Sequence, residues 1–130
     1  MKLLSFLFTL PLLLAVALNA GAADKPAGAT KLVHMVSFKF KTSATPDQIA
    51  KVEEAFRALK KSIPQIKSYE WGTNVSPEKH DKGFTHGFIL SFASDKDRDA
   101  YLVHPEHKAF GAMLGPILED VFVIDFWAQK

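Results

Sequence analysis

The chain has 130 residues, of which 48% are hydrophobic, 16 are basic and 14 are acidic, and it contains no cysteine. Charges of both signs are interspersed, so the chain has neither a basic stripe for nucleic acid nor an acidic block for cations. Without cysteine it can form no disulfide, and its stability must come from packing.

The N-terminus has the three-part order of a secretory signal peptide. Lys2 is followed by an apolar run over residues 3–18 and by small residues over 19–23. The run is shorter than the roughly 20 residues that cross a bilayer, and Pro11 interrupts it. The alternative is a retained membrane anchor.

Removal of this segment leaves a chain long enough for one domain. We predict a signal peptide over residues 1–22, a flexible lead-in over 23–30 and a single domain over 31–130. The mature protein is then periplasmic or secreted, with no membrane association and no nucleic-acid partner.

Alternating apolar and polar residues predict four β-strands. These strands cover residues 32–40, 69–71, 84–92 and 121–128. On the first strand His34 shares the parity of Val36 and Phe38, and on the third His86 shares the parity of Phe88. Both histidines should therefore point into the layer between sheet and helices.

Helix-start residues lie between these strands. Thr45, Pro46 and Gln48 predict a capped helix that ends before Pro64. Ser94 opens a second helix. Pro105 then starts a further helical turn that carries Phe110, Met113, Leu114 and Ile117.

This order of elements predicts an α+β, ferredoxin-like βαββαβ plait with helices on one face of a four-stranded antiparallel sheet. The other face is apolar, because it carries Val33, Met35 and Ile89 and because either parity of the last strand adds apolar residues to it. Because monomers rarely expose so large a patch, we expect a second copy to cover it in a homodimer. The long loop or a C-terminal tail is the alternative cover.

Several motifs together resemble the stress-responsive A/B barrel (Dabb) domain. They are His34 in the first strand, YEWG at 69–72, TH at 85–86 and YLVHPEHKAF at 101–110. The resemblance runs from Lys31 to Gln129 and implies a dimeric α+β barrel. A plant member of the family performs a cofactor-free aldol cyclisation of a linear polyketide. By this resemblance, its site residues correspond to His34, His86, Tyr101 and His107.

The same four side chains suit acid–base chemistry. Histidine can take and return protons near neutral pH, and a tyrosine hydroxyl can stabilise a developing negative charge. They are the candidate catalytic residues. The alternative is that each histidine is buried and hydrogen-bonded for structural reasons.

Metal and cofactor signatures are weak. His104 and His107 are three residues apart, with Glu106 or His86 as third-ligand candidates, but the spacing matches no zinc signature. GxGxxG and GxSxG are absent. We therefore predict no metal and no cofactor.

Two functions from different classes remain. In the first, the protein binds a small apolar or phenolic compound in a His/Tyr-lined pocket. In the second, it is a cofactor-independent cyclase or lyase acting on an acidic carbon or enol. Glu53 stands where the plant cyclase has an apolar wall, and export removes the protein from cytoplasmic acyl-CoA, so we expect a different substrate.

Overall fold

Four strands and three helices are formed by residues 24–130, the part of the chain that the computed structural model describes. The predicted signal peptide lies outside these residues. In chain order the elements are β1 (Leu32–Phe40), α1 (Pro46–Ser62), β2 (Ser68–Thr73), β3 (His86–Phe92), α2 (Asp95–Leu102), α3 (Pro105–Leu114) and β4 (Leu118–Trp127).

The strands form one antiparallel sheet in the order β2-β3-β1-β4, which confirms the predicted ferredoxin-like fold. Partners in an antiparallel register project from the same face. One row across the sheet consists of Tyr69, Leu90, His34 and Asp125, here called the His34 row. It lies on the face that the helices cover, here called the helix face. The opposite face is called the outer face.

Helices α1 and α2 begin directly after Thr45 and Ser94, the capping residues from which their starts were predicted. Thr45 accepts a hydrogen bond from the Gln48 backbone N–H, and the Gln48 side chain accepts one from the Thr45 backbone N–H. Ser94 caps α2 through the Asp97 N–H. These bonds satisfy backbone donors that a helix start leaves without partners.

Three strands differ from their predicted limits, and β2 is longer than predicted, running over Ser68–Thr73. β3 begins at His86, because the turn through Asp81 and Gly83 extends up to Phe84. β4 begins at Leu118, which pairs with Phe40 across a register shift in β1. Ile117 lies outside α3, since the helix stops before Gly115 and Pro116.

The core lies between α1, α3 and the helix face. Phe56 of α1 stacks near Phe88 and Phe110, with ring centroids 4.4 and 4.6 Å away. Phe38 of β1 packs against the same cluster and is almost fully buried. Within residues 24–130 no helix is long and apolar enough to cross a membrane. The aromatic cluster therefore holds the helices against the sheet.

The outer face carries exposed apolar side chains along one edge. Phe122, Ile124 and Phe126 of β4 are each 44 to 47% exposed. They lie in register with Ser37, Met35 and Val33 of β1. The sequence left both parities of the last strand open, and the structure turns the one that contains Phe122 to the outer face.

Candidate functional site

An ion-paired carboxylate anchors one end of the helix face. Asp125 of β4 contacts the His34 Nδ1 at 2.6 Å and also accepts a hydrogen bond from Arg98 of α2. A carboxylate paired with a guanidinium is ionised and can only accept, so His34 donates from Nδ1. The His34 Nε2 is then the ring's acceptor.

The charges around Arg98 reinforce this arrangement. Burial lowers the pKa of Arg98, but its hydrogen bonds to Asp99 and Asp125 outweigh that effect, so its pKa is raised overall. Arg98 therefore remains a permanent cation beside Asp125. The side chains of His34, Asp125 and Arg98 thereby link β1, β4 and α2.

Tyr101 packs against both His34 and His107. The Tyr101 ring centroid is 5.6 Å from that of His34 and 4.3 Å from that of His107. Tyr101 lies in the last turn of α2, while His107 lies in the first turn of α3. Burial raises the pKa of Tyr101, so its hydroxyl keeps its proton at neutral pH.

His107 is held in one tautomer. Its Nδ1 lies 3.1 Å from the Leu102 carbonyl oxygen, which can only accept, so Nδ1 carries the proton. Burial lowers the pKa of His107, and the nearby His34 and His104 lower it further against the raising effect of the Leu102 bond. His107 is therefore neutral at pH 7, with Nε2 unprotonated. A nitrogen in this state is a proton acceptor.

His86 lies apart from the other three predicted residues. It pairs with Phe38, four positions along β1 from His34, which corresponds to about 13 Å. Its Nε2 is 2.9 Å from Glu53 Oε1, and its Nδ1 is 2.8 Å from Thr85 Oγ1. Both ring nitrogens thus have protein partners. Of the four predicted residues, the structure brings together His34, Tyr101 and His107.

The three-residue cluster is nearly closed to solvent. His34 and Tyr101 are only 5 and 1% exposed, whereas His107 is partly exposed. A groove of about 900 Å³ lies elsewhere, beneath the loop between β2 and β3, and His86 and Trp71 are among its lining residues. A ligand would therefore reach the cluster from the His107 side.

His104 has a structural partner. As the N-cap of α3, it accepts the Glu106 backbone N–H at Nδ1. Among residues 24–130 no group of three or more His, Cys, Asp or Glu side chains could hold a metal ion. His107 is bonded instead to the end of α2.

Sequence reasoning missed Asp125, Arg98 and Glu53 as partners of the histidines. Asp125 is a lone acid in the apolar stretch VFVIDFW, and this contrast is the signal that could have identified it. The parity of that strand had to be known before Asp125 could be placed beside His34. Glu53 was noticed only as a departure from the family pattern.

A four-stranded antiparallel sheet covered on one face by helices defines an α+β protein of ferredoxin-like fold. The profile of the stress responsive A/B barrel domain (Dabb) matches residues 32–128, so the chain belongs to this family.

Similar proteins include characterised ones. Olivetolic acid cyclase from Cannabis sativa is 28% identical over 97 residues, covering 75% of this chain and 96% of the cyclase. A dimeric ferredoxin-like protein of unknown function from Thermobifida fusca superposes with a TM-score of 0.67 at 25% identity, covering 78% of this chain and 93% of that one. Hydroxynitrile lyase from Passiflora edulis superposes with a TM-score of 0.74 at 24% identity, covering 78% and 96%. The lyase likeness supports the fold alone.

Proposed function

We propose that this protein binds a small, largely apolar compound with an acidic proton, such as a phenol or an enolisable dicarbonyl, at the side chains of Tyr101 and His107. The observation that carries the proposal is the geometry of His107, whose Nδ1 is bonded to the Leu102 carbonyl oxygen and whose ring lies 4.3 Å from that of Tyr101. His107 Nε2 accepts the ligand's proton in a hydrogen bond. The Tyr101 hydroxyl donates to the ligand's oxygen.

The surroundings favour a ligand of low polarity. Phe92 packs 5.2 Å from Tyr101, and desolvation is the main cause of the shifted pKa values of both Tyr101 and His107. Hydrogen bonds are stronger in such surroundings than in water. A phenol offers an apolar ring and one polar group, which matches this combination.

A second candidate function is proton transfer without a cofactor. The Asp125–His34 pair supplies a second imidazole with an oriented ring, in which Asp125 fixes the tautomer and stabilises an imidazolium. His107 would remove a proton from an acidic carbon, and Tyr101 would donate a hydrogen bond to the enolate oxygen. The similarity to a cyclase supports this candidate.

Removal of the Tyr101 hydroxyl tests ligand binding. Tyr101→Phe keeps the ring, so we expect an unchanged fold and about three- to tenfold weaker binding of phenols and β-dicarbonyls, the usual effect of one lost hydrogen bond. Titrations followed by NMR give the dissociation constants. His80→Gln, in the exposed loop, is the matched control and should bind like the wild type.

The same samples in D₂O separate binding from turnover. Faster exchange of the dicarbonyl's acidic C–H with wild type than with Tyr101→Phe supports catalysis. Binding without faster exchange supports the binding function alone. If no phenol or dicarbonyl binds the wild type at millimolar concentration, both candidates are wrong.

Export is also part of the proposal, and the order of charge, apolar run and small residues at the N-terminus supports it. We expect the protein in the exported fraction of its host to begin between Gly21 and Asp24. Mass spectrometry of that fraction measures this directly. An intact Met1 there would contradict processing.

We propose, further, that the protein is a homodimer that pairs through the outer face. The Thermobifida relative is described as dimeric, and β4 carries exposed Phe122, Ile124 and Phe126 on this face. A second row across the sheet, here called the glycine row, contains small residues that leave room for a bulky side chain of a partner. It consists of Gly72, Gly87, Ser37 and Phe122.

The glycine row indicates how the copies are oriented. A Cβ built on Gly72 or Gly87 would meet nothing within 4 Å, and neither glycine has a positive φ, so the fold itself does not require them. A two-fold axis parallel to the strands places β4 of one copy over β2 of the other. Phe122 then lies over the partner's Gly72, so that a bulky side chain meets a position without one. An axis across the strands would instead place β4 against β4 and β2 against β2, so that Phe122 and Gly72 would not face each other.

Filling the gap at Gly72 tests this orientation. We expect Gly72→Phe to weaken dimerisation by about 1–3 kcal/mol, because the partner's Phe122 loses its space. Gly111→Phe is the matched control, since a Cβ there also meets nothing within 4 Å but projects from α3. Light scattering over a concentration series measures both. A wild-type monomer at micromolar concentration would contradict the dimer, and an unaffected Gly72→Phe dimer would contradict the orientation.

A further inference from the structure

The hydroxyl group of Tyr69 lies between the helices and the sheet and makes no hydrogen bond within residues 24–130. The oxygen is buried and has no hydrogen-bond partner among residues 24–130. Its ring packs against Phe56 and Phe88, with centroids 5.5 and 6.4 Å away. A phenylalanine would make the same ring contacts without the cost of an unpaired buried donor. The Tyr69 hydroxyl can therefore form a hydrogen bond with a group from outside residues 24–130.

The position of Tyr69 relates it to the candidate site. Tyr69 and His34 belong to the same row, with Leu90 between them. Two strand spacings separate their backbones by about 10 Å. Tyr101, which packs against His34, is near enough for the charge of an ionised Tyr69 to affect it. The two tyrosines thus lie on the same side of the sheet, at positions of one row that Leu90 separates.

We propose that Tyr69 is a specificity-determining residue that donates a hydrogen bond to a second oxygen of the ligand. The inference rests on the proposed binding site at Tyr101 and His107. The ligand class is then narrower: a compound with an acidic proton at one end and an oxygen acceptor at the other, joined by an apolar part.

Charged groups near Tyr69 do not compete for this role. Arg57 and Glu53 of α1 are close enough to influence Tyr69 electrostatically, but Glu53 is bonded to His86. The Arg57 guanidinium lies over the Trp71 ring at 5.9 Å from the centroid. Neither side chain satisfies the Tyr69 hydroxyl. A ligand oxygen remains the fitting partner.

A pair of matched probes tests the inference. Biphenyl with one terminal hydroxyl has a single oxygen, whereas biphenyl with a hydroxyl at each end has two at nearly the same size. We expect the wild type to bind the two-hydroxyl probe about three- to tenfold more tightly, and Tyr69→Phe to bind both equally. Tyr101→Phe should weaken both probes, because both use the first site. Titration calorimetry gives the six dissociation constants, two for each of the three proteins.

The outcomes separate the inference from the proposed function. Equal binding of the two probes to the wild type, or an unchanged preference in Tyr69→Phe, overturns the role of Tyr69 while leaving the site at Tyr101 and His107. Absence of binding by either probe overturns both. A thermal melt is the second measurement: Tyr69→Phe should melt at or above the wild-type temperature, and a loss of several degrees would mean that the hydroxyl has a structural partner.

Discussion

The pairing of Asp125 with His34 and Arg98 is the interaction on which the site depends. Asp125 is the one acid in an apolar stretch of β4, and a carboxylate there is most stable where charged and hydrogen-bonding groups pair with it. Here the imidazole of β1 and the guanidinium of α2 pair with it. A slip of one residue between β1 and β4 would turn Asp125 to the outer face and remove both partners. The pair thus favours one register and ties α2 to the sheet.

Fixing α2 also fixes the functional side chains. Tyr101 lies in the last turn of this helix and packs on His34, and His107 bonds back to the Leu102 carbonyl at the helix end. Two imidazoles and a phenol are thereby held together in a dry environment by backbone and carboxylate partners. His86 and Glu53 form a separate pair at the other end of β1. Because both nitrogens of His86 are engaged, its geometry is that of a structural histidine, unlike that of His107.

Much of the fold follows from local sequence patterns. The limits of β1 were predictable from alternation, and the start of α1 from the capping box at Thr45 and Gln48. The start of β4 was not, since it depends on a register shift at Lys39 and Phe40 that only pairing determines. The site divides in the same way. Histidine parity was readable from the strands, whereas the partner of each histidine comes from an element distant in sequence.

Protonation of His107 decides whether the cluster can accept a proton. The most direct measurement is an NMR pH titration of ¹⁵N-labelled imidazoles, with His107 assigned through His107→Gln. We expect Nδ1 protonated, Nε2 unprotonated, and a pKa below the ordinary 6.5. Since a lowered folded pKa disfavours protonation of the native state, the contribution of His107 to stability should fall as the pH drops below about 6.5. A His107 that carries its proton on Nε2, or that is still charged at pH 7, would contradict a proton acceptor at this position.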